Sequence, residues 1–322
     1  MRIPTLLLTI LLIIPISTTQ ADKVCAVLHA EQPAERPITS SIALHLGSAS
    51  VRNTYLAPLL YQGADIALGY ERSRHWKDLR WHSLQSVTGQ FIMGSDKGDH
   101  TESLAGRIRY RYATHYGIGL QRWTLSVGPY VGTDIGFDYN LKMSSGNNPA
   151  TAHVTINAGA SVLGAVSYNI RRRACQASLL VQMPLAGYAC MPEYGASYYE
   201  SFYLKNTQGL HHFTSLHNQQ DLDIQLQTDI PLRTRSSGAL RIGCGFHIET
   251  MQINHTNTRL SSLNAIIGWT FQCIPVKYNA KGLSYEAFWP TSSASYLFDQ
   301  AASGIVCHRI VHDDGQPDIM PR

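Results

Sequence analysis

Hydrophobic and polar residues alternate along most of the chain between residues 38 and 274. The cleanest run is 261–273. Leu263, Ala265, Ile267, Trp269, Phe271 and Cys273 share one phase; Ser262, Asn264, Gly268, Thr270 and Gln272 share the other. In 239–249, Leu240, Ile242, Cys244, Phe246 and Ile248 oppose Arg241, Gly243, Gly245, His247 and Glu249. In 221–232, Leu222, Ile224, Leu226, Ile230 and Leu232 alternate with Asp221, Asp223, Gln225, Gln227 and Asp229. Successive strand side chains point to opposite faces, so period two predicts strands with one apolar and one polar side. The same phase separation recurs around Ile42–Leu46, Ile66–Tyr70, Ile108–Tyr112, Trp123–Tyr139, Val154–Tyr168 and Cys175–Met183. The segment 80–93 is a strand by position, with poor alternation. Ten strands result, and no helix beyond the N-terminus.

A water-soluble β-sandwich also alternates. Three features favour a barrel in lipid. Several runs exceed 12 residues, longer than the five or six usual in globular sheets. Aromatics such as Trp123, Phe137, Tyr139, Tyr168, Trp269 and Phe271 sit near the ends of apolar faces, where barrels carry their girdles. With the first strand at 40–51, connections after odd strands are 52–63, 94–103, 138–152, 186–219 and 254–260. Those after even strands are 74–79, 116–121, 170–173 and 233–237, all short. Short periplasmic turns and long outer loops are the outer-membrane pattern. A turn at Thr256-Asn257 would pair Ile242 with Phe271 and Cys244 with Trp269. One at Arg171-Arg172 would pair Tyr168 with Cys175 and Val166 with Ala177. Both keep apolar faces together. The expectation is an all-β, antiparallel up-and-down transmembrane β-barrel of about ten strands, ten to twelve in range.

The N-terminus fits export. Arg2 precedes an apolar stretch, Leu6–Ile14, then Pro15 and the small-residue site Thr19-Gln20-Ala21. Residues 1–21 read as a signal peptide, 22–37 as an N-terminal segment and 38–274 as the barrel. The proline-bearing 275–322 reads as a loop-rich tail. The apolar stretch is about half the length that a spanning helix needs. Charged residues are 15% of the 322, below the usual quarter, while hydrophobic residues are an ordinary 44%. Strands with lipid and lumen faces produce that balance. A net charge of +4 is too small to point to nucleic acid. Cys175, Cys244 and Cys273 fall on apolar faces, where a thiol packs as a small hydrophobe. Cys25, Cys190 and Cys307 lie outside the strands and could pair in an oxidising compartment.

Four segments carry a resemblance: Gly63-Ala64-Asp65 to Glu71-Arg72, Asn147-Asn148-Pro149-Ala150, the run from Pro192 to Phe202, and the run from His212 to Gln219. They resemble an uncharacterised family of outer-membrane β-barrels from Bacteroidetes-type bacteria. The run Pro192-Glu193-Tyr194-Gly195-Ala196-Ser197-Tyr198-Tyr199-Glu200-Ser201-Phe202 is the most specific. The resemblance implies fold and compartment over roughly 38–274 and adds no catalytic residue.

Two constellations could carry chemistry. The connection 186–219 holds Glu193, Tyr194, Tyr198, Tyr199 and Glu200, candidates for a binding surface because clustered tyrosines give rigid amphipathic contact area. It also holds Ser215, with His212 or His217 as base and Glu200 or Asn218 as orienting group. The compact His-x-Ser-Asn arrangement of outer-membrane phospholipases is absent. No HExxH or Cys-x2-Cys spacing supports a metal site at His211, His212 and His217, and no cofactor is implied. The second constellation is luminal: Arg107, Arg109 and Arg111 on one strand, and Asp221, Asp223 and Asp229 four strands away, with Arg241 and Glu249. Opposed charge rows could field a narrow pore or pair and fill the interior, since a barrel this small is nearer the filled end. The reading is a monomeric outer-membrane barrel, structural or ligand-binding through 186–219. Outer-membrane lipid and an unknown ligand are its partners. A narrow pore and a hydrolase using Ser215 are the alternatives.

Overall fold

The computed structural model describes residues 38–76, 80–98, 101–120, 123–141, 149–170, 173–193, 199, 203–204, 209–232, 238–253 and 255–273. The signal peptide, the N-terminal segment, the tail, Cys25 and Cys307 lie outside them, as do Tyr194, Tyr198 and Glu200. Among the described residues eleven strands form: β1 (Ile38–Asn53), β2 (Ala57–His75), β3 (Trp81–Ser95), β4 (Glu102–Leu120), β5 (Trp123–Asn140), β6 (Ala150–Ile170), β7 (Arg173–Cys190), β8 (His211–Ser215), β9 (Gln219–Pro231), β10 (Gly238–Ile253) and β11 (Thr256–Cys273). Each pairs antiparallel with its neighbours, and β1 pairs with β11 to close the ring. β8 and β9 both pair with β7 and occupy one place in the wall. The molecule is therefore a closed antiparallel ten-strand barrel, as the alternation predicts.

Closure follows from the pattern. Each strand has one apolar and one polar side, and a ring leaves no unpaired edge. Following paired residues strand by strand from His75 round the ring returns to β2 at Gly63, twelve residues away. That stagger obliges the strands to tilt by about 40°. The outer wall carries Ile42, Leu68, Ile108, Leu125, Ile135, Ile156, Leu226, Leu263 and Ile267, all exposed. The inner wall carries Asp65, Gln90, Arg107, Arg111, Asp138, Asp223, Asp229 and Arg241, all buried. This is the inverse of a water-soluble protein, and it suits a wall between hydrocarbon and a packed polar interior. Small apolar clusters interrupt the interior, among them Leu84, Ala113, Tyr130, Leu163 and Leu180.

Several expected loops are strand instead. The connection 52–63 shrinks to 54–56, 254–260 to 254–255, and 186–219 to 191–210 plus the short break 216–218. Loop segregation is correspondingly weaker: connections at one end span 54–56, 96–101, 141–149, 191–210 and 254–255. β10 ends at Ile253 and β11 begins at Thr256, and His255 just before β11 has φ 60, the left-handed backbone that short hairpin connections use. Ile242 therefore faces Ile267 and Cys244 faces Ala265, four residues from the expected register. An even slip keeps apolar sides together, which is why alternation alone does not detect it. At β6–β7 the expected pairs, Tyr168–Cys175 and Val166–Ala177, are the observed ones. Cys190 closes β7 rather than lying outside the strands, and no disulfide joins Cys175, Cys190 or Cys244 among the described residues.

Candidate functional site

The charged rows meet inside the barrel. β4 and β9 lie four places apart in the ring, nearly opposite. Arg111 of β4 reaches across to Asp223, and its Nη2 stands 3.5 Å from Asp221 Oδ2. Its Nη1 also donates to Gln182 Oε1 at 3.1 Å. Gln182 Nε2 donates to Ser161 Oγ at 3.2 Å, and His247 Nε2 lies 3.0 Å from Asp221 Oδ1. Five strands thus share one hydrogen-bonded unit at mid-depth. A buried guanidinium is tolerable only when its donors and the facing carboxylates satisfy each other.

Two further levels cross the lumen. Toward the end carrying 54–56 and 141–149, Arg107 Nη1 lies 2.9 Å from Asp138 Oδ1. Asn53 of β1 donates to Asp138 Oδ2 at 2.7 Å, and Asn140 of β5 donates to the Tyr61 hydroxyl of β2 at 3.1 Å. Gly136 faces Arg107, and a Cβ there would come within 2.3 Å of His153 Cε1 and 2.8 Å of Arg107 Cδ, so the glycine makes room for both side chains. Toward the other end, Arg241 grips Asp229 with two bonds, Nε to Oδ1 at 2.9 Å and Nη2 to Oδ2 at 3.0 Å. Its Nη1 reaches Glu71 at 3.1 Å and Ser41 at 2.8 Å.

Arg109 donates to Gln90 at 2.9 Å, while its Nε and Nη1 have no protein partner. Gln90 and Asn264 in turn donate to Asp65 Oδ2, at 2.7 Å and 2.9 Å. Beside them a polar cavity of about 30 Å³ is lined by Arg109, Arg111, Asp223 and His247. That holds about two waters. Glu249 is buried in the same inner row of β10 as Arg241. Nothing in the order of residues sets Gln90, Gln182 or His247 apart. Their inward phase is legible, but only the register shows which arginine or carboxylate each one meets.

The rim residues are less convergent. β7 and β8 extend the wall, and Tyr188 and His211 stack on its outer side at 5.8 Å. In the connection above them Tyr199 and Tyr203 stack at 4.8 Å, both exposed. Glu193 closes on Gly209, where a Cβ would meet its Oε2 at 2.8 Å. The Ser215 hydroxyl contacts His217 Nδ1. His212 sits on the opposite side of β8 and bonds the Gly209 carbonyl through Nε2 at 2.7 Å. Asn218 accepts from the Ser215 amide at 2.7 Å and donates to the Phe213 carbonyl at 3.0 Å. Asn218 therefore closes the 216–218 turn and does not orient His217. The structure brings Ser215 and His217 together and separates His212 from both.

A family model described as "Protein of unknown function (DUF3316)" matches residues 5–278. The chain belongs to this family. Among curated proteins none matches it. The β domain of the Bordetella autotransporter BrkA is 11% identical, with a TM-score of 0.36, over 74% of this chain and 99% of that one. The translocator domain of autotransporter NalP from Neisseria meningitidis is 8% identical, with a TM-score of 0.39, over 76% and 90%. The outer membrane protease OmpT from Escherichia coli is 6% identical, with a TM-score of 0.39, over 77% and 100%. At such scores these likenesses carry nothing about activity; the closed ring rests on this DUF3316 chain's own strand pairing.

Proposed function

We propose that this DUF3316 protein is an integral barrel of the outer membrane of a Gram-negative, Bacteroidetes-type bacterium. In this reading its lumen is filled by its own side chains, and it works by binding at its outer rim rather than by conduction. The observation that carries the reading is the Arg111 guanidinium, which spans the ring to Asp221 and Asp223. A water-filled channel would expose its lining, and aqueous channels belong to barrels of about 16 strands. Here Arg107, Arg241, Asp229 and Asp138 are all buried. The apolar outer wall supports residence in lipid, and residues 1–21 supply the export signal. The end carrying 191–210 faces outward, with Tyr199, Tyr203 and Glu193 as its contact surface. One chain closes the ring, so a monomer suffices.

Planar-bilayer recording on the purified protein tests the reading. Silence is the expected result, and stable conductance steps would establish the pore instead. A second reading, hydrolysis of outer-leaflet lipid, is favoured by one observation, the Ser215–His217 contact. Ester hydrolysis that disappears in Ser215→Ala would support it.

A further inference from the structure

Three histidines form a row on the inner wall near the end where the sheet begins and finishes. His75 closes β2, His82 is the second residue of β3, and His115 lies in β4. The register sets His75 opposite His82 and His82 opposite His115. Directly opposed residues on neighbouring strands hold their Cβ atoms about 5 Å apart, within reach of a shared ligand. Exposure is 3%, 0% and 0%, and the ring centroids are 5.6 Å and 4.9 Å apart.

The polar atoms of this row are not all satisfied. Neither ring nitrogen of His82 has a hydrogen-bond partner, although both are shut off from solvent. Buried polar atoms are almost always paired, so such a ring calls for a missing partner. The ionisable groups acting on His82 are the two other histidines. His115 Nε2 is held by Ser161 Oγ at 2.8 Å, while its Nδ1 has no partner. A hydrogen bond on the far nitrogen is how proteins orient a ligating imidazole. One residue further out, Trp76 stacks on Trp81 at 6.3 Å and Trp81 meets Tyr116 edge-on at 5.2 Å. This outer ladder clamps the same three strand ends.

We propose that His75, His82 and His115 bind one divalent transition-metal ion of zinc, copper or nickel type, with His82 as the central ligand. Imidazole nitrogen suits these ions, and three histidine donors leave a coordination position open. The rings now stand side by side, and no three ligand-type side chains among the described residues are set around one point. Binding turns the rings about Cβ–Cγ until one nitrogen of each converges. No hydrogen bond has to break at His82 for its ring to turn, and His115 offers Nδ1 while Ser161 keeps Nε2.

The test uses untagged, full-length protein refolded in detergent, titrated with Zn²⁺ by calorimetry and with Cu²⁺ by electron paramagnetic resonance. One ion per chain is expected, with nitrogen hyperfine structure from more than one imidazole. His82→Ala should weaken binding at least tenfold, and Ser161→Ala by roughly tenfold. His217→Ala, at the opposite end, should leave it unchanged. Absence of stoichiometric binding by the wild type overturns the proposal, as does equal affinity in His82→Ala. Should His82→Ala fail to refold, Ser161→Ala, which keeps the row intact, and the copper spectrum decide the matter.

Discussion

The two walls of the same strands live under different rules. On β10, Arg241, His247 and Glu249 point inward, while Ile242, Cys244 and Phe246 point outward. Inside, stability depends on partners chosen across the ring: Arg111 with Asp223, Arg241 with Glu71, Asn53 with Asp138. Outside, no specific partner is needed, only an apolar surface facing hydrocarbon. Inner positions are therefore individually irreplaceable and outer ones collectively so. A single change should cost most where it strands a buried charge and least where a side chain serves only a local turn.

The largest expected effect is Arg111→Leu. It leaves Asp221 and Asp223 buried without their cation, and breaking a buried pair costs about 3–5 kcal/mol. Equilibrium urea unfolding in lipid vesicles measures it. Next is Ile267→Arg on the outer wall, placed against Leu44 and Ile242 midway along its strand. Arginine facing lipid near the midplane costs about 2–4 kcal/mol, falling toward the interfaces. Third is the double variant Arg111→Met with Asp223→Leu, which should be less destabilised than Arg111→Leu alone, because an apolar pair replaces an ion pair nearly neutrally. If the double variant is worse than either single, the crossing pair does not act as one unit. The smallest effect is Ser215→Ala, within about 0.5 kcal/mol. A larger loss of stability would show that the 216–218 break is part of the wall's support.

The contrast between walls also explains how much of the molecule is legible in its sequence. Alternation marks which side chains point inward, so ten strands and the opposed rows at Arg107–Arg111 and Asp221–Asp229 can be read from the order of residues alone. Register is less readable, because a slip of two or four residues preserves every apolar contact; the β10–β11 pairing is displaced for that reason. The extension of β7 to Cys190 and its pairing with β8 are hidden by Pro184 and Gly187 and by the bulge beside Gly159, which blur the phase. The histidine row is hidden more deeply. His82 sits in the strand with the poorest alternation, and only the register across β2, β3 and β4 lines up residues so separated in sequence.

The most direct test places a fluorescent probe, one position at a time, along 262–267 in a background lacking the native cysteines, with the barrel reconstituted into vesicles of brominated lipid. Probes at positions 263, 265 and 267 should be strongly quenched and those at 262, 264 and 266 spared. Equal quenching along the segment, or none at any position, would contradict a wall that divides hydrocarbon from a packed polar interior.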